Sequence, residues 1–307
     1  MSEEKRRSIW FWLLLGGGIF TAFVVVVAVL GYVAVRSMSS DSASFSGMGG
    51  GSNIAVIDVS GVILNADGII DQLQKFDDDS TVKAIILHID SPGGAAAPSQ
   101  EIYHEVVRIR NEKRKPIIAS IESLGASGAY YIASGTDKIY ANDASLVGSI
   151  GVIMEWTNYG DLLKWAKLKP EVIHAGALKD AGDPSRDITP QEQAYFQDLV
   201  NNMYGQFVSD VASGRHQTVD QIKTLATGQV WTGQEAISLH LIDKEGGFRI
   251  ALLDTARSVG IRGEPNIVRP TVRHRSLLDI LTTNADDLFP NPGQLLEKNP
   301  GFYFLWR

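Results

Sequence analysis

The chain has 307 residues, a formal net charge of −7 and a pI near 5.4. With no basic stripe to neutralise phosphates, nucleic acid is excluded as a partner. Cysteine is absent, which removes disulfides, thiolate nucleophiles, thiolate metal sites and lipid-acceptor thiols. His88, His104, His174, His216, His240 and His274 never fall three or four apart, so no helical metal pair is visible. Neither a metal nor a cofactor is expected.

The first segment is apolar. From Ile9 to Val35 the chain runs 27 residues without a charged side chain. At about 1.5 Å per residue that crosses a hydrocarbon core of roughly 30 Å with some tilt. A cleaved signal peptide would have an apolar core of only about 7–15 residues. Lys5, Arg6 and Arg7 precede the run and only Arg36 follows it closely, so residues 1–8 are expected in the cytoplasm and the remainder outside. The expectation is a single-pass anchor over 9–35 in the cell membrane, followed by a flexible Ser/Gly-rich tether over 36–53.

Strands and helices then alternate. "KAIILHID" (83–90) is a continuous apolar run, as a strand buried on both faces requires. "SQEIYHEVVRIRNEK" (99–113) has helical periodicity, "KPIIASI" (115–121) is again strand-like, and "DKIYAN" and "SLVGSIGVIM" read as further strands. "NYGDLLKWAKL" reads as a helix. Over 189–215 a long helix is predicted, with Thr189 as its cap, Pro190 in the first turn and Glu192 completing a capping box. "TVDQIKTLA", "TGQEAISLHLI" and "GGFRIALLDTARSVG" supply shorter helices. Repeated strand–helix units imply an α/β domain, taken as 54–262, with a tail over 263–307.

Two glycine-rich loops are candidates for chemistry. "DSPGG" (90–94) ends a buried strand, and ligands of α/β folds bind at that edge of the sheet. Gly93 and Gly94 can bring bare backbone N–H groups close to a bound group; an ordinary strand-to-helix turn would read the same way. In "ESLGASGAYYIASG" (122–135), Ser127 precedes a short apolar helix. There the Gly128 N–H is unpaired and negative charge is favoured, as an oxyanion hole needs. A plain helix cap is the competing reading of Ser127.

A serine nucleophile needs a base. No histidine occurs between His104 and His174. A neutral lysine does the same work where burial frees its lone pair. Lys179, in "HAGALKDAGDPSR", is the candidate, although Asp180 and Asp183 nearby favour its charged form and a surface lysine is the plainer reading. Ser149, in "LVGSIGVI", can hydrogen-bond the amine and orient it, or can be an ordinary core serine.

The ordered set "DSPGG", "SLGASGAYYIAS", "DKIYAN", "GSIGVIM", "GALKDAGDPSRDITPQEQ" and "GQVWTGQEAISLHLID" resembles the bacterial signal peptide peptidase A family over about Ile54 to Val259, plus the anchor. Those are membrane-anchored serine/lysine peptidases with a Clp protease/crotonase-like fold of repeated β-β-α units. The resemblance implies Ser127 as nucleophile, Lys179 as general base, Ser149 as the lysine-orienting hydroxyl, and Gly94 with Gly128 as oxyanion amides. It also implies peptide substrates, namely remnant signal peptides and misfolded membrane proteins, and a ring-shaped homo-oligomer whose dyads form at subunit contacts. Clp-type relatives use a Ser-His-Asp triad, and Val152 with its neighbours stands where that histidine would fall. Ala129 replaces a common glycine, and the tail after residue 262 is hard to match until "GFYFLWR".

Other classes fit parts of the pattern. "GASGA" approximates the G-x-S-x-G elbow of an esterase, which would need His216, His240 or His274 as its triad base. An inactive oligomeric membrane scaffold would keep the fold without the chemistry, and a crotonase-like acyl-CoA enzyme is a weaker third. The terminus "NPGFYFLWR" is too apolar to be left in solvent and is expected to dock on the protein, as a substrate mimic or as plain packing.

Overall fold

A computed structural model describes residues 53–112, 115–270 and 301–306. The proposed anchor, the tether and most of the tail lie outside these residues. Among the described residues no helix is long and apolar enough to cross a membrane.

The chain forms a mixed α/β fold built on an eight-stranded, mainly parallel sheet. Its centre is β1 (Asn53–Ser60), β2 (Val82–Ser91) and β4 (Ile117–Ala126), paired in parallel in that order. β10 (Asn266–Val268) lies outside β1, while β5 (Lys138–Ala141) and then β9 (Lys244–Glu245) continue beyond β4. The upper end of β4 pairs instead with β6 (Leu146–Gly148), which in turn takes β8 (Val230–Thr232) antiparallel.

The continuous apolar runs mark strands covered on both faces. Ala55, Ile57 and Val59 point into the larger core, with α1 (Asp67–Asp78), α2 (Ala96–Asn111), α3 (Gly128–Ser134) and α5 (Pro190–Gly214). Ile54 and Val56, one residue out of phase, point to the other face, with Ile86, Ile118 and Tyr140. There they meet Ala251, Leu252 and Ala256 of α8 (Phe248–Ser258). Period-two alternation thus fills two layers from one strand.

α4 (Gly160–Trp165) follows β7 (Ile153–Glu155), and α6 (Val219–Leu225) and α7 (Gly233–Ser238) precede β9. The Thr189–Glu192 capping box opens α5 as the sequence requires, and the same device recurs as Thr218–Gln221 and Thr232–Glu235. The run "SLVGSIGVIM" is two strands, not one: Ser149, at φ 50°, turns the chain between β6 and β7.

A second, three-stranded sheet positions the site. β3 (Gly93–Ala95) and β7 lie on either side of β11 (Gly301–Leu305), which is antiparallel to both.

Candidate active site

Three adjacent strands deliver the site. Ser91 at the end of β2 pairs with Gly125 of β4, and Ala126 at the end of β4 pairs with Gly148 of β6. The residues that follow these ends, Gly93 and Gly94, Ser127, and Ser149, therefore emerge together at the carboxyl edge of the parallel strands, where ligands of α/β folds bind.

Ser127 occupies the N-cap position of α3, but its side chain makes no capping bond. Its φ is 55° and its ψ −118°, a conformation that costs a non-glycine residue about 1–3 kcal/mol. Its N–H donates to the Gly148 carbonyl at 2.7 Å and its carbonyl accepts from the Tyr131 N–H at 2.8 Å. Backbone bonds on both sides hold the strained turn. A serine serving only as a cap would use its hydroxyl on the helix and would not need this backbone. Ser149 is the second positive-φ serine, fixed by its N–H donating to the Gln229 carbonyl at 2.8 Å. Both serines are nearly buried and both line one cavity of about 740 Å³, with Val152, Met154, Tyr204, Leu305 and Trp306 among its walls.

The glycine loop is shaped to leave room. The buried Ser91 hydroxyl donates to the Gly61 carbonyl at 2.6 Å and accepts the Gly93 N–H at 3.1 Å. Gly93 has φ +93°, and a Cβ there would stand 2.1 Å from the Phe304 carbonyl oxygen and 2.6 Å from the Gly128 nitrogen. Gly94 is equally constrained from the other side, its Cβ position lying 2.0 Å from the Ile63 carbonyl oxygen. Ile63 takes up the Gly93 carbonyl and the Ala95 N–H, at 2.9 and 2.7 Å. Alternation along the strand then turns the Gly94 N–H and C=O toward β11, where Phe304 is its partner. Gly94 and Gly128 thus flank the place where the tail's carbonyl lies. The sequence marked both glycines; it did not mark Ser91 or Ile63, whose roles depend on long-range pairing.

Lys179 is placed apart. It is exposed, lies in the loop between α4 and α5, and is not among the residues lining the cavity of Ser127 and Ser149. Among the described residues it has no ion pair, because the acids near it are engaged elsewhere. Asp180 receives Arg186 at 3.0 Å and His174 at 3.3 Å. Arg186 also binds Glu192 at 2.5 Å and the Asp180 carbonyl at 3.1 Å, and Glu192 accepts the Thr189 N–H at 2.8 Å. Hydrogen bonds from Arg186 and Thr189 lower the Glu192 pKa to about 2. A charged clamp thus ties the Lys179 loop to the start of α5. Neither His216 nor His240 lines the cavity, and His274 lies outside the described residues.

The tail closes the picture. Tyr303, Phe304 and Leu305 pair with Ala95, Gly94 and Gly93, and the Trp306 N–H donates to the Pro92 carbonyl at 2.8 Å. An extended segment is therefore held as an added strand across the glycine loop, beside Ser127.

Comparison with known proteins gives the family. The Peptidase family S49 profile matches residues 109–262. "Putative protease slr0021" of Synechocystis sp. is 40% identical over 195 residues, covering 63% of this chain and 69% of that one. "Putative signal peptide peptidase SppA" of Enterococcus faecium is 36% identical over 182 residues, 59% of this chain and 53% of its own. "Serine protease SPPA, chloroplastic" of Arabidopsis thaliana is 31% identical over 225 residues, 72% of this chain but only 33% of the longer relative. The profile match over half of the chain, together with these relatives, identifies a serine peptidase of family S49, the signal peptide peptidase A-like family.

Proposed function

We propose that the protein is a membrane-anchored endopeptidase that degrades remnant signal peptides and misfolded membrane proteins with a Ser127–Lys179 dyad. The observation that carries the reading is the strained Ser127 turn facing an extended peptide held across Gly93 and Gly94. A substrate strand added between β3 and β7 presents a carbonyl to the Ser127 hydroxyl. Ser127 Oγ attacks the carbonyl carbon while Lys179 Nζ takes its proton, and Ser149 orients the amine. The oxyanion is met by the Gly94 and Gly128 N–H groups. Collapse breaks the C–N bond, Lys179 returns the proton to the leaving amine, and water hydrolyses the acyl-serine by the same route.

Lys179 reaches Ser127 from a neighbouring copy in a ring-shaped homo-oligomer. Two observations favour this arrangement. The lysine is outside the cavity of its own chain, and the segment bearing it exposes Leu162, Trp165, Leu168, Val172 and Ile173, an apolar surface that a second copy would cover. The anchor expected over 9–35 would tether the chain to a membrane, and the name of the Enterococcus relative gives signal peptides as the substrate class. The substrate side of the proposal is tested by presenting synthetic signal peptides to the full-length protein in detergent. Cleavage should depend on both Ser127 and Lys179. Cleavage that persists in Ser127→Ala overturns the reading.

A further inference from the structure

Phe304 reports where a substrate side chain goes. Its carbonyl oxygen fills the space left by Gly93, 3.1 Å from the Cβ position of Gly128, so it stands where the carbonyl under attack would stand. The residue contributing that carbonyl lies on the acyl side of the bond, while Leu305 and Trp306, on the leaving side, face the cavity of Ser127 and Ser149. The Phe304 side chain, in contrast, turns inward and is only 3% exposed. Its ring lies 4.8 Å from that of Phe207 and 5.3 Å, edge to face, from that of Tyr131. Tyr131 and Phe207 are themselves stacked at 4.5 Å, and Tyr103 is 4.9 Å from Tyr131.

This receptor is fixed rather than pliable. The Tyr131 hydroxyl donates to Asp210 and accepts from Gln100 Nε2 at 3.2 Å, and Gln100 is in turn bonded to Gln206. Tyr103 donates to the Asp210 carbonyl at 3.1 Å. The two tyrosine rings are therefore held by a polar network, and with Phe207 they offer Phe304 faces and edges at the spacing aromatic pairs prefer. The small-residue loops frame only the backbone channel. A small or aliphatic side chain on the acyl side would leave the space beside the stacked rings incompletely filled.

We propose that Tyr131 and Phe207 form an acyl-side specificity pocket, and that the enzyme cuts preferentially after phenylalanine or another aromatic residue of similar size. The proposal rests on the Ser127 reading above and narrows its substrate class. It is tested with the full-length protein and four peptides that differ only in the acyl-side residue, Phe, Leu, Ala or Glu. The tail competes equally with each, so ratios of kcat/KM on one enzyme preparation are comparable. The phenylalanine peptide should exceed the alanine peptide by about thirtyfold, from the apolar area it buries. Phe207→Leu, which keeps an apolar side chain in a buried position, should bring the ratio within about fivefold. Dye-labelled versions of the same peptides, titrated into Ser127→Ala protein by fluorescence anisotropy, read the pocket without turnover and should rank alike. Equal rates and equal binding for phenylalanine and alanine, or leucine above phenylalanine, overturn the pocket. A phenylalanine preference undiminished in folded Phe207→Leu overturns its location. Cleavage surviving in Ser127→Ala overturns the nucleophile instead, and the binding ranks still judge the pocket.

Discussion

Ser127 and Ser149 face one cavity from neighbouring turns, both on positive-φ backbone, and the Ser127 N–H donates to the carbonyl of Gly148, the residue before Ser149. The two turns are thus tied by one backbone hydrogen bond, and each depends on a conformation that residues other than glycine rarely adopt.

That strain predicts a conflict between stability and activity. Replacing Ser127 with glycine relieves a conformation worth about 1–3 kcal/mol, less about 0.5–1 kcal/mol for the added freedom of the unfolded chain. Ser127→Ala relieves nothing. Both variants should lose at least about 10³-fold in activity, while thermal unfolding should find the glycine variant the more stable of the two. An alanine variant of equal or greater stability would show that the turn is unstrained.

Gly93→Ala tests the oxyanion space. Its Cβ would stand 2.6 Å from the Gly128 nitrogen, on a backbone with φ +93°. Obstructing an oxyanion donor typically costs about 10²–10³ in kcat, so turnover should fall by that factor with folding retained. Near-normal turnover would mean that the negative charge develops elsewhere.

The tail gives a third test. Phe304→Ala removes a buried ring packed against both Tyr131 and Phe207 and should cost about 3 kcal/mol or more in stability if the segment is as tightly packed as a core. If it also acts as a substrate mimic, the variant should turn over short peptides faster than the parent. Lowered stability with unchanged turnover identifies plain packing.

Glu192 supplies a pH dependence. Its folded pKa, about 2, lies below the ordinary glutamate value near 4.3 because Arg186 and the Thr189 N–H bind the carboxylate. A depressed carboxyl pKa contributes stability that is complete above the unfolded value and is lost as pH falls through the folded one. Thermal stability should therefore decline between about pH 4.5 and pH 2, and Glu192→Gln should flatten that decline. Parallel profiles for the two proteins would exclude the clamp as its cause.

Much of this is legible in the sequence. The apolar run at 83–90 and the Thr189–Glu192 box are local signals, and β2 and α5 form where those signals lie. Ser127, Ser149, Gly94 and Gly128 were marked by short motifs, and neighbouring strand ends bring them together. The aromatic pocket was not legible: Tyr131, Phe207 and Phe304 are far apart in sequence and meet only when β11 inserts between β3 and β7. The strands β3, β8 and β10 span three residues each, too few for an alternation to show, and α1, although amphipathic, opens at Ala66 with no side-chain cap to mark its start. The separation of Lys179 from Ser127 could not be read from their 52-residue spacing alone.

Subunit mixing tests most directly how Lys179 meets Ser127. Full-length Ser127→Ala and Lys179→Ala proteins, each inactive alone, are combined and allowed to exchange subunits, with exchange followed by energy transfer between labelled chains. A dyad shared between copies predicts that peptidase activity returns in proportion to mixed assemblies, because some contacts pair an intact Ser127 with an intact Lys179. Demonstrated exchange with no return of activity would contradict it.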